Sequence, residues 1–133
     1  MKRSLKILIY MLVIIIILII IFWISFSYRV NYKKEVCDIT VSPNEKYELA
    51  LQAIGEPQWP FGIARGRLVL KTDDHAIAQI DFELRNNGKK INHDCWKVTW
   101  FTDYVEVILS GDEQFDQQIL LYFDGKKESK QII

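Results

Sequence analysis

Residues that carry chemistry are scarce in this chain. It holds two histidines, two cysteines, three prolines and six glycines among 133 residues. There is no glycine-rich phosphate loop, no hydroxyl nucleophile in an elbow and no paired metal-ligand spacing. Two cysteines without a second pair, and two separated histidines, do not make a zinc site. No metal and no cofactor are therefore expected. Catalysis is not expected either. The weak acid–base candidates are His75 beside Asp73 and Asp74, and His93 beside Asp94. Both sit at turn signals, where Asp and Asn serve the backbone. Asp112, Glu113 and Asp116 lack the ordered spacing of a calcium loop and read as a solvated turn.

A basic stripe is also missing. Lys2, Arg3, Lys6 and Arg29 flank a hydrophobic run, which leaves 13 basic residues against 17 acidic ones elsewhere, a net charge of −4. Such a surface disfavours nucleic acid as a partner and offers no docking face to anionic lipid.

What is abundant is hydrocarbon, and it is concentrated. Ile7 to Ile24 contains no charge, glycine, proline or amide. As a helix these 18 residues span about 27 Å, and continuing through Tyr28 brings the length to roughly 33 Å, enough to cross a bilayer core. Phe22, Trp23, Phe26 and Tyr28 cluster at one end like an interfacial belt. The expected layout is a cytoplasmic head at 1–6, a transmembrane helix at 7–28, a polar stem at 29–35, an extracytoplasmic domain at 36–125 and a polar tail at 126–133. The lipid bilayer is thus a partner through residues 7–28. A basic N-terminal flank without acids keeps the N-terminus inside, so the C-terminal domain lies outside the cell membrane. The competing reading is a signal peptide cleaved after Ser25-Phe26-Ser27, but the run is longer than such segments usually are. Either way the domain is exported.

Outside the cytoplasm, Cys37 and Cys95 are expected to form a disulfide closing a loop of about 58 residues, worth about 4 kcal/mol on a chain-entropy basis. The alternative is two unpaired thiols.

Beyond the stem the hydrophobic period is two. Val36–Val41 is the first strand. Tyr47, Leu49, Leu51 and Ala53 face one way in the next. Leu68-Val69-Leu70 marks a third. Ala76, Ala78, Ile80, Phe82 and Leu84 point inward in a fourth. Trp96, Val98 and Trp100 share a face, as do Val105, Val107 and Leu109, and then Ile119, Leu121 and Phe123. Turn signals fall at Ser42-Pro43-Asn44, Asn86-Asn87-Gly88, Thr102-Asp103 and Asp124-Gly125. The expected fold is all-β: an antiparallel sandwich of about seven strands behind one transmembrane helix.

The loop Gly55 to Gly62 is the most distinctive stretch. Pro57 and Pro60 stiffen it, and Trp59 and Phe61 lie inside it. Stiffly held aromatics give contact area at low entropic cost, so Trp59, Phe61, Pro57 and Pro60 are the candidate binding residues. The alternative is that both rings fold back to cap the core. The stretches Ser42-Pro43-Asn44-Glu45-Lys46-Tyr47-Glu48-Leu49, Gly55 to Gly62, Arg65 to Leu70, Asn92 to Val98 and Asp103-Tyr104-Val105 resemble a family of small uncharacterised proteins of Gram-positive bacteria. That resemblance covers most of the domain. It implies a membrane-tethered or secreted domain and supplies no catalytic residue. The expected role is a membrane-anchored extracytoplasmic binding module for a protein or cell-wall partner. Alternatives are an immunity protein against a secreted toxin and a weak hydrolase.

Overall fold

The computed structural model describes residues 2–57 and 62–132. The chain begins with one helix, α1 (Lys2–Asn31), whose 30 residues make a rod of about 45 Å. Its most apolar window has a mean hydropathy of 3.5, so it is long and apolar enough to cross a membrane. Every residue through Arg29 is exposed, and only Val30, in the last turn, is half-buried. The helix therefore projects away from everything else in the chain. It also runs further than its apolar stretch requires. It starts at Lys2 and ends at Asn31, and the first strand opens at Lys34, so the stem expected at 29–35 is almost entirely absorbed.

The rest of the chain is β, in two antiparallel four-stranded sheets. The first holds β1 (Lys34–Val41), β2 (Glu48–Ile54), β3 (Ala64–Thr72) and β4 (His75–Leu84), in chain order. The second holds β5 (Trp96–Trp100), β6 (Tyr104–Leu109), β7 (Gln117–Tyr122) and β8 (Lys127–Gln131), again in order. Each sheet is a meander. The β3–β4 link has two residues, Asp73 and Asp74, with φ of 47° and 64°. That is the left-handed pair a tight hairpin turn needs, and aspartate tolerates it better than most residues. The crossing between sheets uses residues 85–92, with Asn87 and Gly88 at φ 55° and 75°. A 3₁₀ turn (His93–Cys95) follows, its Asp94 N–H accepted by the Asn92 side chain.

One core joins the sheets. Leu49, Leu51, Leu68, Leu70, Phe82 and Leu84 come from the first, and Val105, Val107, Leu109, Ile119 and Leu121 from the second. Most are fully sequestered, and each contributes roughly 1.5–3 kcal/mol of burial. The period-two reading of the sequence placed these side chains inward, and they are inward. Gly66 lies under the Phe82 ring, where even a methyl group would overlap it. Polar contacts close both sides. Trp96 Nε1–H donates to Asp38 Oδ2 (2.9 Å) and Trp100 Nε1–H to Thr40 Oγ1 (3.4 Å), joining β5 to β1. Lys127 Nζ donates to the Gln79 carbonyl (2.9 Å), joining β8 to β4.

Three expectations need correction. Among the described residues there are eight strands, because Lys127–Gln131 of the expected polar tail pairs with β7 as β8. Its sequence Lys-Glu-Ser-Lys-Gln is exposed throughout, so it carried no hydrophobic alternation to reveal it. Ala76 faces solvent and Ile77 packs on the core instead. A register shift between Leu70 and Lys71 adds one residue to β4 and reverses the faces beyond it. Finally, Cys37 and Cys95 are both free thiols. Cys37 sits in the β1 bulge and donates to its own strand, at the Glu35 carbonyl (3.7 Å). Cys95, in the 3₁₀ turn, is tied to Asn86 and Asn92 (3.7 Å each). Each sulfur is thus held by local partners.

Candidate functional site

Antiparallel pairing sorts the loops into two ends. Residues 32–33, residues 55–57, the link 85–95 and the loop 110–116 lie at the end from which α1 leaves. The loops 42–47, 73–74, 101–103 and 123–126 lie at the opposite end.

The helix-proximal end is built from backbone contacts. The last carbonyls of a helix lack intrahelical donors, and here the domain supplies them. Glu56 N–H donates to the Val30 carbonyl (2.5 Å) and Arg65 Nη2 to the Asn31 carbonyl (2.5 Å). A cation at this position also suits the negative end of the helix dipole. Gly55 N–H donates to the Lys33 carbonyl (2.7 Å). Gly55 has φ +67°, and a Cβ there would run into the Val30 carbonyl oxygen. Beside this joint lies a cavity of about 240 Å³ lined by Cys37, Glu56, Pro57, Arg65, Ile91 and His93, among others. Three of its charged residues are engaged: Lys90 pairs with Glu56 (3.3 Å) and Arg65 with the helix end. Burial pushes the Cys37 thiol upward, against the opposing backbone hydrogen bond at Ala53. It therefore stays protonated and is a poor nucleophile. The next loops are locked together. Glu113 N–H donates to the Arg85 carbonyl (3.1 Å), Arg85 N–H to Gln114 Oε1 (2.6 Å) and Asp112 N–H to Asn86 Oδ1 (3.2 Å).

Of the residues singled out by sequence, Pro57 lines this cavity, while Trp59, Pro60 and Phe61 lie outside the described residues. His93 is exposed and 3.2 Å from Asp94 at this end, whereas His75 opens β4 at the other. The ten residues of β4 separate those ends by about 30 Å, so the two histidines do not meet. Asp112 is taken by Lys89 (2.6 Å), which raises the lysine pKa. Among the described residues no group of three or more His, Cys, Asp or Glu is placed to hold a metal.

The helix-distal end is different in kind. Six aromatic residues from four chain segments lie there, in two separate groups. Tyr47 stacks on Phe123 with centroids 3.9 Å apart and planes within 4°. Trp100 lies 6.3 Å from Phe123, Phe101 stacks on Tyr104 at 4.7 Å, and Tyr104 meets Tyr122 at 5.3 Å. The backbone beneath is pinned by Phe101 N–H to Tyr104 O (2.9 Å) and Phe123 N–H to Asp103 O (3.1 Å). Ser42 closes its own loop, since its hydroxyl accepts from Tyr47 N–H (3.1 Å) and donates to Asn44 Oδ1 (2.6 Å). Between these loops is a cleft of about 480 Å³ lined by Tyr47, Trp100, Phe101 and Phe123 with Ser42, Pro43, Asn44 and Thr102. None of its lining residues is charged. Beside the cleft, the Tyr122 phenol is pushed upward by lost solvent and then by Glu128. Phe101 is 43% exposed, the most open ring of the set.

Sequence reading assigned Tyr47, Trp100 and Phe123 to inward faces, where they do pack against the core, and gave the cluster no binding role. The available signal was positional, because each aromatic stands beside a turn: Tyr47 after Ser42–Asn44, Trp100 and Phe101 before Thr102-Asp103, and Phe123 before Asp124-Gly125. In a meander, alternate turns share an end. No family model, curated protein or solved structure matches this chain.

Proposed function

We propose that this protein is a membrane-anchored, extracytoplasmic β-sandwich that works as a binding module for a protein or cell-wall partner. In this reading α1 is a single-pass anchor in the cell membrane with its N-terminus in the cytoplasm. Support for that orientation is the unopposed Lys2, Arg3 and Lys6 at the helix start. The observation that carries the binding role is the aromatic cleft at the end remote from the anchor. Its rings are pre-ordered by stacking and by pinned loops, so a ligand would meet large contact area without ordering it. An uncharged cleft on a mildly acidic domain favours a partner recognised by shape and ring contact rather than by charge. The resemblance to small tethered proteins of Gram-positive bacteria fits an address facing the wall.

The test uses the full chain in intact cells. Phe101→Ala and Thr102→Arg alter exposed positions and leave the core alone. Both should weaken cosedimentation with purified wall, or crosslinking to a protein partner, by about tenfold, as expected for loss of one anchoring contact. Thermal unfolding should shift by only a few degrees. Unchanged binding by both variants would refute the assignment of this cleft.

A further inference from the structure

The domain has no slack between itself and its helix. α1 continues unbroken past Tyr28 to Asn31, and the carbonyls of Val30 and Asn31 are bonded directly to Glu56 and Arg65. From Tyr28 to that joint is less than one helical turn, about 5 Å. The headgroup layer on one side of a bilayer is itself about 5–7 Å deep. If Tyr28 marks the interface, the loops at the helix-proximal end have nowhere to sit except among the headgroups.

The surface at that end fits such a setting. Phe115 is 59% exposed on the loop 110–116, and Tyr32 is 62% exposed beside the joint. Ile132, also exposed, adjoins the Phe115 loop, its N–H donating to the Asp116 carbonyl (2.7 Å). The strand β8 ends at this same end of the fold. Some charges nearby are engaged, Lys89 with Asp112, Lys90 with Glu56 and Arg65 with the helix terminus, while Arg29, Lys33, Glu113 and Asp116 are open to solvent. A face with open aromatic and aliphatic groups beside polar ones suits the interfacial layer, where amphipathic rings concentrate.

We propose that the helix-proximal end of the domain is a second membrane contact, seated in the lipid headgroup layer through Phe115 and Tyr32. This rests on α1 being the anchor, so anchoring is read out separately. Full-length protein carrying p-benzoylphenylalanine at position 115, 32 or 101 is reconstituted into phosphatidylcholine vesicles and irradiated. Flotation with the vesicles after alkaline extraction reports the anchor alone. Among floating protein, lipid adducts are expected at 115 and 32 and absent at 101, which lies at the far end. Floating protein with no lipid adduct at 115 or 32, with equal adducts at 101, or with adducts to a second copy of the chain would overturn the proposal. Protein that does not float overturns the anchor reading and this contact with it. Position 32 keeps the test decisive should the replacement at 115 impair folding.

Discussion

Gly55→Ala tests the helix–domain joint most directly. At φ +67° an alanine carries a conformational penalty of about 1–2 kcal/mol. The added methyl would also meet the Val30 carbonyl oxygen and the Asn31 backbone, which no side-chain rotation can relieve. The chain can escape both by opening the joint. That gives up the Gly55 N–H to Lys33 and Glu56 N–H to Val30 hydrogen bonds, about 1 kcal/mol each. The Arg65 contact with the Asn31 carbonyl goes with them. The local loss is therefore about 2–3 kcal/mol. Hydrogen exchange of full-length protein in nanodiscs reads it residue by residue. Amides of Gly55 and Glu56 should exchange about 30-fold faster or more, since 1.4 kcal/mol is a factor of ten. Those of β3 and β6, deeper in the core, should keep their protection. Gly55→Asn separates the two causes, because asparagine tolerates this φ but still carries a Cβ. It should behave like alanine. Unchanged exchange in Gly55→Ala, or full rescue by asparagine, would refute the argument that the close approach of helix and loop sets this glycine.

Two further outcomes follow from contacts between strands. Asp38→Ala removes the acceptor for both Trp96 Nε1–H and the Ile39 amide; it should destabilise the domain by about 1–2 kcal/mol, read as a lower urea midpoint with red-shifted tryptophan emission. Asp81 has its pKa lowered by its hydrogen bonds from Arg67 across the β3–β4 ladder. A depressed folded-state pKa stabilises the fold above the unfolded carboxylate value near 4 and is lost as pH falls through the lower folded value. Asp81→Asn should thus reduce the loss of stability on acidification below about pH 4. The effect is small because the Asp81 carboxylate is itself 60% exposed. A urea midpoint that falls with acid as steeply as in the parent would contradict it.

How legible was the molecule in its residues? The inward-facing sets of β2, β6 and β7 were read in full from alternation, because a strand with one face in a core repeats that demand every second residue. β8 was invisible for the converse reason: neither face is buried, so pairing with β7 leaves no compositional trace. The reversal at Ala76 and Ile77 depends on a bulge set by the partner strand, which local sequence does not encode. The disulfide expectation failed because compartment and an even count say nothing about distance or direction between sulfurs.

By itself, the sequence determined that a helix of uninterrupted hydrocarbon precedes a β-rich domain, since lipid-grade apolarity and period-two alternation are local and each has one structural solution. Only the tertiary structure decided which turns share an end. It thereby brought Tyr47, Trp100, Phe101 and Phe123 into one cleft and locked the helix terminus onto Glu56 and Arg65. Those relations join residues distant along the chain. They arise from sheet order and register, quantities that exist only once the strands have paired.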